Sequence, residues 1–298
     1  MTQRRRLWKD KAAGKIMLAL TIFSGSIVFL MFWGLYQKAK PILAVKPLRE
    51  LLFSTSWQPL KGSFGLLPFL MGTLWVTATA LLIAVPFSLL TAIYLAEYAP
   101  KRVSDLITPL IDLLTGIPSV VYGVWGVLVI VPLIKDYIAP RLGIFSTGYS
   151  ILAAGIVLAI MILPVIIHVC VEVFKTIPGG IKEASWALGA TKWQTVKYVI
   201  MRKSLPAVIA AIVLGVSRAL GETMAVLMVA GNVARLPSSV LDPAYPLPAL
   251  LANNYGEMMS VPLYDSALLL AALVLMLVVL FFNITSRLVL IRVERRIQ

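Results

Sequence analysis

Two charged side chains stand four residues apart inside an apolar run. They are Arg218 and Glu222, in the stretch VSRALGETMAV (residues 216–226). If the run is helical, that spacing puts both on one face. A guanidinium stays charged and presents a planar fork of donors that suits the oxygens of phosphate or a similar oxyanion. A glutamate one turn away would hold the fork, neutralise it between cycles, or respond to a proton on the anion. Counted from Leu205 at ~1.5 Å per residue, Arg218 lies about 20 Å into an apolar layer of about 30 Å. An arginine at that depth costs roughly 2.5–3.5 kcal/mol on insertion scales, and such residues face a bundle interior or a water-filled path. Two chemistries fit: an anion site, or a structural ion pair that locks helices together.

Other residues qualify as partners in that chemistry. Gly116, Pro118 and Gly123 can break the run that holds them and let main chain approach the path, and half-helix N-termini at such breaks favour anions. Ser119, Tyr122 and Thr223 offer hydroxyls. Asp112, near the inner end of the same run, suits either a basic group on a second subunit or a local backbone cap. His168 and Cys170 are the single histidine and the single cysteine. Two ligands two residues apart do not close a metal site, so both read as span residues. There is no GxxxxGK[ST] phosphate loop, and the parts of a His triad or a Cys–His pair are missing. We expect no catalytic residue, no metal and no cofactor, with any ATP hydrolysis on a separate subunit.

These side chains need elements to position them. The chain has 298 residues, 60% of them hydrophobic and 13% charged, with a mean hydropathy of +0.92. Soluble domains carry roughly 25% charge. The composition therefore describes an all-α integral membrane protein. Apolar runs predict six transmembrane helices at 16–36, 68–96, 109–134, 151–174, 205–230 and 265–291. The net charge of +14 reads as a topological bias and not as a nucleic-acid surface. Segments 1–15, 97–107, 172–204 and 285–298 hold 6, 2, 6 and 4 Lys or Arg, against 5, 2 and 1 in 37–67, 135–149 and 231–264. The richer set belongs in the cytosol, which places both termini inside. The chain thus divides into a basic cytosolic N-terminus (1–15), a first span (16–36), a core of five spans (66–292) and a cytosolic tail (293–298). The outer loop 231–264 carries five prolines and reads as a folded docking loop or a plain connector. The inner stretch 176–204 is longer than ordinary helix connections and suggests surface helices that meet something.

That inner stretch contains EASWALGATKW, from Glu183 to Trp193, whose Glu-Ala-Ser-x-x-x-Gly spacing resembles the EAA loop of ABC importer permeases. Glu183, Ala184, Ala187 and Leu188 can share a helix side, and Gly189 lets the chain turn away. The family continues with Ile-x-Leu-Pro where this chain has Val199-Ile200-Met201-Arg202, with Leu-Pro only at 205–206. Together with TGIPSVVYGVWGVLVIVPL, LLIAVPFSLLTAIYLAEYAP and GVSRALGETMAV, the chain resembles the PstC-type permeases of phosphate-specific ABC importers from about residue 70 to about 232. The resemblance implies a type I ABC importer permease fold with a cytosolic coupling helix, in a bacterial inner membrane. It implies a phosphate pathway at Arg218, Glu222, Thr223, Ser119 and Tyr122, and ATPase coupling at Glu183, Ala184 and Gly189. It also implies a PstA-like second permease, two copies of an ATP-binding subunit and a periplasmic phosphate-binding protein as partners. A permease for molybdate, sulfate or a phosphonate remains an alternative, as does a secondary transporter. The topology is testable. In a Cys170→Ser background, single cysteines at Ser185 and Ser238 should label from opposite sides of the membrane. Labelling from one side would overturn the six-span arrangement.

Overall fold

The computed structural model describes residues 3–257 and 260–297. Residues 1–2, 258–259 and 298 belong to the expected N-terminus, outer loop and tail, and they lie outside the described residues. Six helices among the described residues are long and apolar enough to cross a bilayer. The first, α1 (Gln3–Val45), is longer than the span expected at 16–36. Its 43 residues reach about 65 Å, twice an apolar layer of about 30 Å. A short α2 (Leu48–Phe53) follows, then an antiparallel pair, β1 (Trp57–Gln58) and β2 (Ser63–Phe64), with Trp57 opposite Phe64. The second span, α3 (Leu67–Tyr98), ends in a wider π turn over Tyr94–Tyr98.

The third span differs from the run expected at 109–134. Residues Lys101–Gly116 form a separate helix, α4, with Ser104 and Ile111 buried and Leu106, Leu110 and Leu113 exposed. The chain then turns extended at Ile117 and Pro118, and the crossing helix is α5 (Ser119–Arg141). Proline disfavours helical backbone in the residue before it, which is why the break falls there. Within α5, wider π turns at Gly126–Ile130 and Ile134–Ile138 precede Pro132 and Pro140. Each proline removes an N–H and crowds the carbonyl four residues back, and the wider turn relieves both.

The fourth span, α6 (Ile151–Lys175), is the centre of the bundle, with 67% of its most apolar stretch buried. It packs chiefly on α3. A Cβ added to Gly155 would stand 2.5 Å from Thr79 Cγ2, and Ser88 Oγ donates to the Leu163 carbonyl at 3.4 Å. Next follow α7 (Gly179–Ala187) and α8 (Lys192–Gly221). A capping box opens α8: the Gln194 N–H bonds Thr191 Oγ1 at 3.3 Å while the Thr191 N–H bonds Gln194 Oε1 at 2.8 Å. The fifth run, expected unbroken over 205–230, is interrupted: α8 stops at Gly221 and a short α9 occupies Met224–Val229. On the outer side lies α10 (Leu247–Asn254), and α11 (Tyr264–Ile297) is the last span.

Three buried clusters stack through the molecule. The outer one joins Ile42, Leu51, Phe69, Leu247, Tyr264 and Leu268. The central one gathers around Leu158, Val157, Ala225 and Val229. The inner one holds Ile166, Cys170, Phe174, Val196 and Ile200. Cys170 is thus a core side chain.

The described part of the outer loop is folded. It caps the start of α6, whose first N–H groups have no partners within the helix. Ser150, Ile151 and Leu152 N–H donate to the carbonyls of Val229, Asp242 and Val240 at 3.2, 3.0 and 2.8 Å. The Ala153 N–H donates to the Ser150 hydroxyl at 3.2 Å. The loop is held in turn by Asp242, whose carboxylate accepts from the Ser238 hydroxyl at 2.7 Å and from the Ser238 and Ser239 N–H groups at 2.8 and 3.0 Å. The Ser238 hydroxyl first, and these N–H groups with it, hold the Asp242 carboxyl below the usual carboxylate range. Farther along, the buried Thr73 hydroxyl accepts from the Leu247 N–H at 2.9 Å and fixes α10 against α3.

Gly155→Val should force α3 and α6 apart. Overpacking of this kind costs about 1–3 kcal/mol, so the variant should melt at a lower temperature in detergent. An unchanged melt would show that the α3–α6 contact yields freely.

Candidate functional site

The two interrupted helices lie side by side. A Cβ on Gly123 of α5 would stand 2.6 Å from Met228 Sδ and 3.2 Å from Ala225 Cα of α9. The missing side chain at Gly123 is what lets the two segments approach. The breaks that precede them, at Ile117–Pro118 and at Glu222–Thr223, therefore belong to one region of the membrane domain.

Arg218 sits in the last turn of α8, where the partial negative charge of the free carbonyls favours a cation. Its side chain is exposed in the isolated chain. Glu222 does not share a helix face with it. The backbone turns extended at Glu222 (φ −73°, ψ 130°), and the spacing of four loses its meaning where the helix stops. Among the described residues no ion pair joins Arg218 to Glu222. Glu222 Oε1 instead accepts from the Ala225 N–H at 3.2 Å, a side-chain cap on the start of α9. Thr223 precedes α9 and donates to the Gly221 carbonyl at 3.4 Å. The Tyr122 hydroxyl donates across the α4–α5 break to the Leu114 carbonyl at 2.7 Å, so its proton is committed and a lone pair remains. Ser119 is half-buried at the first position of α5.

Asp112 lies on α4 and not within the third span. Its carboxylate pairs with His168 on α6. The single histidine thus ties the amphipathic helix to the central span.

Between the fourth and fifth spans, α7 carries Glu183 and Ala184 exposed, with Trp186 and Leu188 also open to the surroundings. Gly189 has φ +81°, the left-handed region that glycine adopts without strain, so the chain turns where the sequence predicted. The Ala190 N–H closes the turn on the Ser185 carbonyl at 3.2 Å.

Beyond the Asp112–His168 pair, sequence reasoning missed three further polar contacts. Ser217 Oγ donates to Asn283 Oδ1 at 2.7 Å and joins α8 to α11 next to Arg218. Its signal was available as a lone asparagine in the apolar stretch LFFNITS. The second, Lys182 on Glu97, joins α7 to α3. The third is the capping bond of Glu222, which the stop signal of Gly221 could have announced.

A six-span bundle with helix breaks before the third crossing helix and after the fifth, and a short helix projecting between the fourth and fifth, has the architecture of the membrane subunit of an ABC importer. Residues 84–297 match the family described as "Binding-protein-dependent transport system inner membrane component", and this chain belongs to that family. The phosphate transport system permease protein PstC of Xylella fastidiosa (strain Temecula1) is 39% identical over 98% of this chain and 91% of its own length. The probable ABC transporter permease protein YqgH of Bacillus subtilis is 36% identical over 96% of this chain and 93% of its own. Among solved structures, a bacterial alginate ABC transporter in complex with an alginate pentasaccharide-bound periplasmic protein aligns with a TM-score of 0.60 at 16% identity, covering 94% of this chain and 96% of that one. An inward-facing MetNI methionine ABC transporter aligns at 0.55 and 20% identity, over 74% and 93%. The type I importer permease fold and the bacterial inner membrane agree with the expectation from sequence, and the secondary-transporter alternative is set aside.

Proposed function

We propose that this chain is a transmembrane subunit of an ATP-driven phosphate importer and lines the translocation path with a PstA-like second permease. The observation that carries the reading is Arg218: a guanidinium exposed on the isolated chain, held by the end of α8 beside two helix breaks. The names of the relatives with 39% and 37% identity, both phosphate transport permeases, support the choice of anion.

Each residue then has a role. The Arg218 fork takes two oxygens of the anion. Glu222 keeps the start of α9 in place next to the arginine, Ser119 offers a hydroxyl donor, and the Thr223 hydroxyl joins it by turning from the Gly221 carbonyl to the anion. Tyr122 keeps the α4–α5 break closed and offers its free lone pair. A periplasmic phosphate-binding protein delivers to the outer side, where the folded loop lies. Two copies of an ATP-binding subunit work from the cytosol, one of them on α7 through Glu183, Ala184 and the turn at Gly189. Both termini lie in the cytosol, in keeping with the Lys and Arg distribution.

Arg218→Gln should abolish phosphate uptake in cells lacking other phosphate importers while the complex still purifies. Arg218→Lys should rescue part of the uptake, because a point charge replaces a two-donor fork. Glu222→Gln keeps an acceptor for the Ala225 N–H and should retain more uptake than Arg218→Gln. Glu222→Ala loses that cap at a cost of about 1 kcal/mol. Normal uptake by assembled Arg218→Gln would end the proposal for this arginine.

A further inference from the structure

Lys182 Nζ lies 2.6 Å from Glu97 Oε1, with side chains 17% and 6% exposed. The pair joins α7 to the π turn that closes α3, across 85 residues of sequence. Lys182 is half-buried where its neighbour Glu183 is exposed. A second cation grips the same turn: Lys192 Nζ, at the start of α8, stands 4.6 Å from the centroid of the Tyr98 ring. Ser185 Oγ and Thr195 Oγ1, 2.9 Å apart, tie α7 to α8. The short helix is therefore fastened on two sides, to the second span and to the fifth.

An ion pair so covered from water is a poor source of stability, since desolvation offsets much of the attraction and an apolar pair would hold as well. What it offers is reach. Coulomb attraction falls as the inverse of distance and persists over several ångströms, whereas a dispersion contact is forfeited within about 1 Å. A charge pair can thus pull one helix after another during a displacement that would part an apolar contact. The π turn is a suitable place for it, because wider turns concentrate where helices adjust.

We infer that the Glu97–Lys182 pair is a positioning link that passes displacement of α7 into α3, so that the second span moves with the ATPase-facing helix and not only through its covalent continuation into α8. This rests on α7 being the helix that meets the ATP-binding subunit.

The test uses the whole transporter in vesicles: this chain with its second permease, its ATP-binding subunits, its binding protein and phosphate. Glu97→Gln with Lys182→Met removes both charges and leaves none buried alone. Glu97→Lys with Lys182→Glu reverses the pair. The readouts are ATPase co-purification, stimulation of hydrolysis by loaded binding protein, and phosphate moved per ATP. The doubly neutral variant should assemble and keep its ATPase, while phosphate moved per ATP falls on the order of tenfold, the size of an ordinary coupling energy. The reversed pair should recover most of that loss. A doubly neutral variant that couples normally, or that fails to assemble, would overturn the link in favour of no role or a packing role. So would a reversed pair that assembles but couples no better than the neutral one. Glu183→Lys separates the underlying reading: if it keeps both the ATPase and uptake, α7 is not the docking helix, whatever the pair does. Wild-type vesicles that hydrolyse ATP without moving phosphate would instead fault the choice of anion, before either variant is compared.

Discussion

Every main-chain N–H and C=O at membrane depth must find a partner inside the protein, and that constraint governs this fold. Continuous helix meets it along most of each span, and the exceptions lie at helix starts, helix stops and the interior prolines Pro41, Pro86 and Pro164. Each departure carries its own remedy. The start of α6 takes its acceptors from the end of α9 and from the loop that follows it. The start of α9 takes one from Glu222, and the end of α4 receives the Tyr122 hydroxyl. Glu222 and Tyr122 thus serve main chain left open where helices are interrupted.

Arg218 exploits one of those interruptions. The free carbonyls at the end of α8 attract the guanidinium, and the packing of α5 on α9 at Gly123 keeps both breaks close to it. Because Glu222 is engaged with the Ala225 N–H, the arginine carries no carboxylate partner among the described residues and its fork is open. The Ser217–Asn283 bond fixes the same turn of α8 to α11. The site is thus a consequence of where two helices stop, held on three sides by α5, α9 and α11.

Much of this was legible in the sequence, and the errors have definite causes. Six apolar runs gave six spans, because hydropathy over about 20 residues reports bilayer thickness directly. The break near Pro118 and the turn at Gly189 followed from backbone rules that need no tertiary context. The third span was placed about ten residues early because the last part of α4 is apolar on one face, and a window average cannot tell an amphipathic helix from the start of a crossing one. Asp112 was misplaced with it. The Arg218–Glu222 face was drawn with a rule that assumes a continuous helix, although Gly221 followed by Glu-Thr is a stop and a restart. The Asp112–His168 and Glu97–Lys182 pairs were not legible at all, since periodicity says nothing about residues 56 and 85 positions apart.

The capping of α6 by the outer loop has a consequence for how the chain is made. The acceptors for Ser150, Ile151 and Leu152 come from Val229, Asp242 and Val240, which leave the ribosome some eighty residues after the donors they serve. At roughly 5–20 residues per second, the fourth span waits on the order of 4–16 s for its lid. During that interval its leading N–H groups lack the acceptors that the finished fold gives them, so the start of the central span is completed only after the fifth has been made.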